Sequence, residues 1–335
     1  MSEPQPAQQL VEMIVGSWVS RAIYVVAKLQ VADLMADGPR FAEELAEATQ
    51  VAPRPLYRLL RALAGVGIFA RDADGRFRLN SLAKPLREGG PESLRAFAVM
   101  IGEEQNRCWD DLLETVRTGE SAFDRLYGRP VFDYLCEHPE AAKIFDAAMT
   151  GFSGRAMRAM LDAYDLSGVA TLADVGGGLG TNLTAALGRY PAMRGLLFDQ
   201  PQVVERARPR LEAAGLAGRC AVEGGDFFEA VPRGADAYLL GHIIHDWDDT
   251  RAGVILDNLR RAMPDRAKLL LVEYVLPEGD GASFGKLLDL HMMVLLEGCE
   301  RTEAEYRQLF TAHGFRLTRV VPTAGEVSVV EGVPA

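Results

Sequence analysis

Two histidines stand three residues apart in the run Gly241-His242-Ile243-Ile244-His245-Asp246-Trp247-Asp248-Asp249, in a chain that holds only five. An unperturbed imidazole titrates near ~6.5, so it can take up a proton at neutral pH. His245 is followed directly by an acid, Asp246. Two further acids could serve such a base. Glu273 interrupts the apolar run Leu269–Leu276, where a carboxylate is costly unless it has a partner. Glu300 precedes Arg301-Thr302; an N-cap at Thr302 with a capping-box partner at Glu305 explains those two residues but leaves Glu300 unexplained. His242, His245 and Asp246 raise the question of a metal, but no cluster supplies further ligands, so no metal is expected and His242 reads as structural.

A second group of residues suits a nucleotide-like ligand. Leu172–Asn182 reads LADVGGGLGTN, an apolar strand running into Gly176, Gly177, Gly178 and Gly180 and then a helix. Glycines let backbone N–H groups approach a ligand, and a helix N-terminus adds partial positive charge. The next strand ends in Asp199, at the offset where an acid binds ribose hydroxyls. The third strand is followed by Gly224-Gly225-Asp226-Phe227-Phe228, where an acid and an aromatic could take an adenine amino group and face. Core packing is the competing reading for one of the two phenylalanines. Together these positions point to an adenosine-bearing cofactor, either NAD or S-adenosylmethionine.

The elements that must position these residues fall into two patterns. From Thr171 onward, short apolar runs (Thr171–Val175, Gly195–Phe198, Cys220–Glu223, Ala235–Leu240, Leu269–Leu276) alternate with helices at Gly180–Arg189, Pro201–Ala214, Asp248–Ala262 and Ser283–Leu296. Such alternation argues for a parallel sheet of βαβ units. Phe315–Val321 and Val327–Val330 read as a final antiparallel pair. The inferred strand ends put Gly176, Asp199, Asp226 and His245 on one edge, where open α/β sheets bind ligands. Upstream, residues 8–35 read as a helix. Phe41–Thr49, Pro55–Gly65 and a hairpin across Asp72–Gly75 follow in winged-helix order. The stretch from Ser93 to Tyr164 is helical. The expected division is a winged-helix domain over 1–92, a helical linker over 93–166 and a Rossmann-like domain over 167–335.

The composition narrows the partners. The chain has 335 residues, 48% of them hydrophobic, and a formal net charge of −11. That charge repels nucleic acid and anionic membranes at long range. Phe41–Pro85 carries seven basic residues against five acidic ones, a weak footprint for a DNA-binding regulator. Four scattered cysteines without a CxxC pair favour reduced thiols. Glu12, Arg21 and Lys28 interrupt the apolar N-terminal stretch, so neither a signal peptide nor a membrane span is expected, and the expected location is cytoplasmic.

Taken in order, DVGGGLG, LLFDQP, GGDFFE, HIIHDWDD, VEYVLP, GCERT and the phrase Thr118–Phe123 resemble the S-adenosylmethionine-dependent O-methyltransferases of the plant caffeate and chalcone class, with its bacterial natural-product branch. The resemblance covers nearly the whole chain. It implies a Rossmann-like α/β fold, a mostly parallel seven-stranded sheet with an antiparallel last strand, behind an α-helical winged-helix domain that makes a homodimer. It implies that His245 is the base, flanked by Glu273 and Glu300 and followed by Asp246. Asp174, Gly176, Gly177, Gly178, Asp199, Gly225, Asp226 and Phe227 are implied to hold S-adenosylmethionine. Phe145, Met149, Met292 and Met293 are implied to line the pocket for a small-molecule acceptor. Gly241 departs from the family, which often has Lys or Arg there. One carboxylate, Glu273 or Glu300, should orient the ring of His245. Hydroxylation or decarboxylation on the same scaffold, and a DNA-binding regulator, stand as the alternatives.

Overall fold

The computed structural model describes residues 5–89 and 93–335. The chain forms two compact units, one built from residues up to Arg107 with His138–Gly151, the other from Cys108–Glu137 with Phe152–Ala335. Residues 93–166, expected as one linker, are thus shared between them. The expected boundary at 92/93 abuts residues 90–92, which lie outside the described residues.

In the first unit the expected 8–35 helix is three helices, Pro6–Ile14, Gly16–Lys28 and Val31–Leu34. The second break falls at Gln30, whose backbone is left-handed (φ 55°), a conformation that ends a helix for a residue with a Cβ. Helices Ala42–Thr49 and Pro53–Gly65 precede the hairpin of β1 (Phe69–Arg71) and β2 (Phe77–Leu79), paired Phe69 to Leu79. Leu45, Leu60, Leu63, Phe69 and Phe77 form its core. Pro6–Lys28 is, among the described residues, the stretch long and apolar enough by composition to cross a membrane, with mean hydropathy 1.5. Its charged groups have protein partners. Arg21 donates to Gly102 O at 2.6 Å, and Lys28 pairs with Glu103.

The second unit is built on a seven-stranded sheet. Its strands are β3 (Thr171–Val175), β4 (Arg194–Asp199), β5 (Cys220–Gly224), β6 (Ala237–Gly241), β7 (Lys268–Glu273), β10 (Phe315–Pro322) and β11 (Ser328–Pro334), in the order β10-β11-β7-β6-β3-β4-β5. Pairings from β7 through β5 are parallel, and β11 runs antiparallel to both β7 and β10. The expected Rossmann-like sheet with an antiparallel last strand is therefore present. Successive side chains on a strand face opposite ways. Leu239 and Leu270 accordingly join one apolar cluster with Met157, Met160 and Leu183, while Leu240, Leu269 and Leu271 join another with Leu256 and Phe310. Burial on both faces explains why these strands read as continuous apolar runs.

One strand differs from its expectation. The run Leu269–Leu276 is not continuous. β7 stops at Glu273, and after Tyr274 a short β8 (Val275–Leu276) leaves the main sheet to pair in parallel with β9 (Arg301–Thr302). That small pairing brings the residue after Glu300 beside the residue two after Glu273.

Candidate active site

The glycine turn follows β3 and leads into the helix Thr181–Arg189. Gly176 has φ 71°, and a Cβ there would lie 2.5 Å from Ile243 Cδ1. A Cβ on Gly177 would lie 2.5 Å from Leu197 Cδ1 and 2.6 Å from Asp174 Oδ2. No other residue type fits either position without displacement. Asp199, at the end of β4, accepts from Gly178 N at 2.8 Å and from Gln200 N at 2.7 Å. Gly225 packs against the Phe198 ring, which a Cβ would meet at 2.6 Å. Asp226 Oδ1 accepts from Phe228 N at 2.8 Å, and the Phe227 ring lies edge-on to Phe228 and Trp247. Asp174 is buried beneath the turn. Asn182 donates to its Oδ1 at 3.4 Å, while Oδ2 has no partner among the described residues. Burial raises Asp174 to about 7, only partly offset by Asn182. Backbone approach, an acid held at a strand end and an orphaned buried oxygen fit an adenosine-bearing group.

His245 sits on the single turn Ile244–Asp246 that follows β6. Its Nδ1 is 2.6 Å from Glu300 Oε1 and 3.6 Å from Glu273 Oε2, and its Nε2 is 3.5 Å from Asp246 Oδ1. The sequence left open which acid holds the ring. The short contact belongs to Glu300. Glu273, fully buried, instead accepts from Ile243 N at 3.1 Å and Ile244 N at 2.9 Å, anchoring the turn's backbone. A bond at Nδ1 fixes the tautomer and leaves Nε2 for chemistry.

The electrostatics follow from one imidazole among three acids, Glu273 and Glu300 buried and Asp246 half-buried. Desolvation lowers His245, but the charges of Glu273, Glu300 and Asp246 outweigh it and raise it to about 10. Burial raises Asp246 to about 7 against the opposing pull of His245, and Glu273 likewise rises to about 7. His242 goes the other way, down to about 3, through burial and the charge on His245. The backbone of His242 is left-handed (φ 56°), a strained state for a residue with a side chain and one that clusters at functional sites. Nitrogen and oxygen ligand atoms of His242, His245 and Glu273 lie within 4.8 Å of one another, close enough to hold a metal. Glu300 already engages His245 Nδ1, and two backbone N–H groups already engage Glu273 Oε1.

The remaining expected residues are placed as follows. Met292 is buried and Met293 half-buried on the helix Phe284–Leu295 of the second unit. Phe145 and Met149 are half-buried on the first-unit part of the helix Pro139–Ala163. Met157 and Met160 pack in the core. A cavity of about 10 Å³, room for roughly one water, is lined by Ser153, Asn182, Gly241 and His242. A Cβ on Gly241 would meet Asn182 Nδ2 at 3.3 Å, so a basic residue here would have to displace that amide. The expected capping box is present, with Thr302 accepting from Glu305 N and Glu305 from Thr302 N. Ser121, from the phrase Thr118–Phe123, is buried and donates to Leu295 O at 3.0 Å.

Sequence reasoning missed Asp289, which accepts from Glu300 N at 2.9 Å. It also missed His291, whose Nδ1 accepts from Trp109 Nε1 at 2.9 Å. Burial and the nearby charge of His245 lower His291 to about 4. A fifth-part share of the scarce histidines was the only available signal for it.

The O-methyltransferase domain model matches residues 109–316, and the O-methyltransferase dimerisation domain model matches residues 11–88. The chain belongs to the O-methyltransferase family. The O-methyltransferase is 49% identical over 325 residues to the phenazine O-methyltransferase PhzM of Lysobacter antibioticus, covering 97% of this chain and 95% of that one. Its fold matches the crystal structure of LaPhzM with a TM-score of 0.96 and 48% identity, covering 99% of this chain and 100% of the other. It also matches human N-acetylserotonin methyltransferase, solved in complex with S-adenosylmethionine, with a TM-score of 0.93 and 26% identity over 100% and 99% of the two chains. The enzyme is a transferase that uses S-adenosylmethionine. Residues 11–88, which hold the two helices and the hairpin, belong to a domain of self-association.

Proposed function

We propose that this enzyme methylates a hydroxyl of a small aromatic or polyketide-type natural product, with His245 as general base. The observation that carries the reading is the 2.6 Å contact between His245 Nδ1 and the buried Glu300. When bound, S-adenosylmethionine supplies an electrophilic methyl group on a cationic sulfonium. Asp199 would hold the ribose hydroxyls, and Asp226 and Phe227 would hold the adenine. Gly176, Gly177 and Gly178 give the backbone approach, and Asp174 and Gly225 shape the floor.

His245 Nε2 takes the proton of the acceptor hydroxyl, while Glu300 keeps hydrogen on Nδ1 and stabilises the imidazolium. The three acids bring His245 to about 10, close to the ~10 of a phenol, so proton transfer is nearly matched. The ligand-free enzyme therefore holds a proton on His245 at neutral pH. A cationic ligand beside the acids weakens that hold. Met292 and Met293, on the helix Phe284–Leu295, line the acceptor site, where thioethers suit an irregular apolar ring system. A relative named for a phenazine supports a fused, hydroxylated aromatic acceptor. The enzyme works as a cytoplasmic homodimer that needs neither nucleic acid nor membrane.

The test uses purified enzyme, S-adenosylmethionine labelled in its methyl group, and a panel of hydroxyphenazines and hydroxynaphthoates. Mass spectrometry should find the label on an acceptor oxygen, and His245→Gln should lower turnover by at least ~100-fold. A product that gains oxygen or loses a carboxylate, or an unaffected His245→Gln, overturns the reading.

A further inference from the structure

Among the described residues, the bulkiest side chain that is fully buried is an arginine, Arg301, 2% exposed. A guanidinium out of water is costly unless its donors all find partners. Here they do. Nη1 donates to Ile244 O at 3.1 Å and Cys299 O at 3.3 Å, and Nη2 donates to Trp247 O at 2.9 Å. Nε and Nη2 share Asp249 Oδ1 at 2.9 and 2.8 Å. Ile244 and Trp247 bracket His245 and Asp246. The fork therefore spans the turn that carries His245, and it grows from the residue next to Glu300.

The same two segments touch a second time. A Cβ on Gly298 would lie 2.1 Å from His245 O and 2.5 Å from Asp246 C. Backbone meets backbone there, and any side chain would push the segments apart. β8 and β9 tie the segment from its other side, with Val275 paired to Arg301. Asp289 holds Glu300 N.

We propose that Arg301 is a positioning residue for His245: its planar fork locks the Ile244–Trp247 turn against Gly298–Glu300 and so sets the bond between His245 and Glu300. Lysine cannot replace it, because a point-like ammonium cannot reach three carbonyls and a carboxylate in one plane. The catalytic consequence rests on His245 being the base; the positioning does not, since it concerns the ring's geometry in the ligand-free enzyme.

The experiment compares the full-length enzyme with Arg301→Lys, Arg301→Gln, Asp249→Asn and Gly298→Ala. Nitrogen-15 NMR of the histidine rings follows the pH titration of His245, assigned by its loss in His245→Gln, alongside kcat and KM. In both arginine variants His245 should titrate at lower pH, as Glu300 withdraws. kcat should fall by ~10–100-fold while KM for S-adenosylmethionine stays within ~3-fold. Asp249→Asn keeps the carbonyl contacts and still offers Oδ1 to the guanidinium from a side chain that is itself exposed, so it should stay within ~2-fold of wild type. Gly298→Ala keeps Arg301 and parts the segments from the other side, so it should reproduce the titration change even if the arginine variants do not fold. A folded Arg301→Lys with an unchanged His245 titration overturns the proposal, as does an Asp249→Asn as damaged as Arg301→Gln. An active His245→Gln would instead sink the base assignment and leave the NMR result standing.

Discussion

Glu300 Oε1 stands 2.6 Å from His245 Nδ1, while Glu273, just as deeply buried, stands 3.6 Å from the same nitrogen and holds backbone instead. Two acids that look equivalent in sequence therefore have different tasks. Glu300→Gln should lower kcat by ~10²–10⁴-fold with little change in melting temperature. Glu273→Gln can still accept from Ile243 and Ile244 through its amide oxygen, so its loss in kcat should be smaller, about tenfold or less. Steady-state kinetics beside thermal melting checks the contrast. Equal losses from the two variants would remove the distinction.

The pH–rate profile should rise on the alkaline side. As the proposed base, His245 must lose its proton to act, and it is raised to about 10 by the surrounding acids against the effect of desolvation. Glu300→Gln removes one of those charges, so its residual activity should rise at lower pH than the wild type does. A profile in kcat/KM from pH 6 to 10 measures both; a shift to higher pH in the variant would contradict the charge assignment.

Stability of the ligand-free enzyme should fall as pH climbs from about 6.5 to 10. Burial raises Glu273 and Asp246 from their ordinary values to about 7. For a group raised on folding, the stabilisation is fully present below the unfolded pKa and is lost as pH rises through the folded one. The two acids act between about 4 and 7, and His245 acts between about 6.5 and 10 in the same direction. Glu331, bonded to Thr318, Tyr164 and Arg319, is lowered to about 2 despite burial and contributes the opposite slope below about 4.5, and His242 and His291, lowered by burial to about 3 and about 4, contribute it up to about 6.5, which offsets the acids below that pH. Melting temperatures of the ligand-free enzyme should peak on the mildly acidic side, and Glu273→Gln should flatten the limb up to pH 7.

Gly177→Ala should weaken cofactor binding without touching the base. Its Cβ would press on Leu197 and Asp174. Overpacking of this kind costs about 1–3 kcal/mol, and the turn must move to relieve it. Calorimetry with S-adenosylhomocysteine should show at least ~10-fold weaker binding, while the His245 titration stays as in wild type. Unchanged affinity would mean that the turn does not cradle the ligand.

Ser121→Ala should be a pure stability variant. The hydroxyl caps the helix Ala122–Tyr127 through Asp124 N and donates to Leu295 O from a fully buried position. Losing a cap and a buried partner together costs about 1–3 kcal/mol. Urea unfolding should show that loss with kcat at the assay temperature unchanged.

Much of this was legible because it is local. Period and length mark β3 to β6, and a strand running into glycines and a helix marks the turn at Gly176. The distant features were not. Nothing in the run Leu269–Leu276 says that the chain leaves the sheet at Tyr274, since Val275 and Leu276 stay apolar but pair with residues 26 positions on. The choice between Glu300 and Glu273 depends on that same pairing, so the sequence could supply two acids without ranking them. Arg301 sits in a recognisable GCERT phrase, yet its partners are backbone carbonyls, which carry no residue identity. The helix break at Gln30 rests on one left-handed residue that is neither glycine nor asparagine.

The insertion of β11 between β10 and β7 also sets an order of assembly. β7, with Leu269 to Val272 fully apolar, has one neighbour, β6, drawn from earlier in the chain, and its other side is covered only by residues 328–334. During synthesis that side is an open, greasy strand edge, the kind that recruits other chains. Glu273 lies at its tip, opposite Ser328. The acid that braces the turn carrying His245 is thus sealed into the sheet by residues made about 55 positions later, and a nascent chain that stalls short of them carries an unbraced turn and an exposed seed for aggregation.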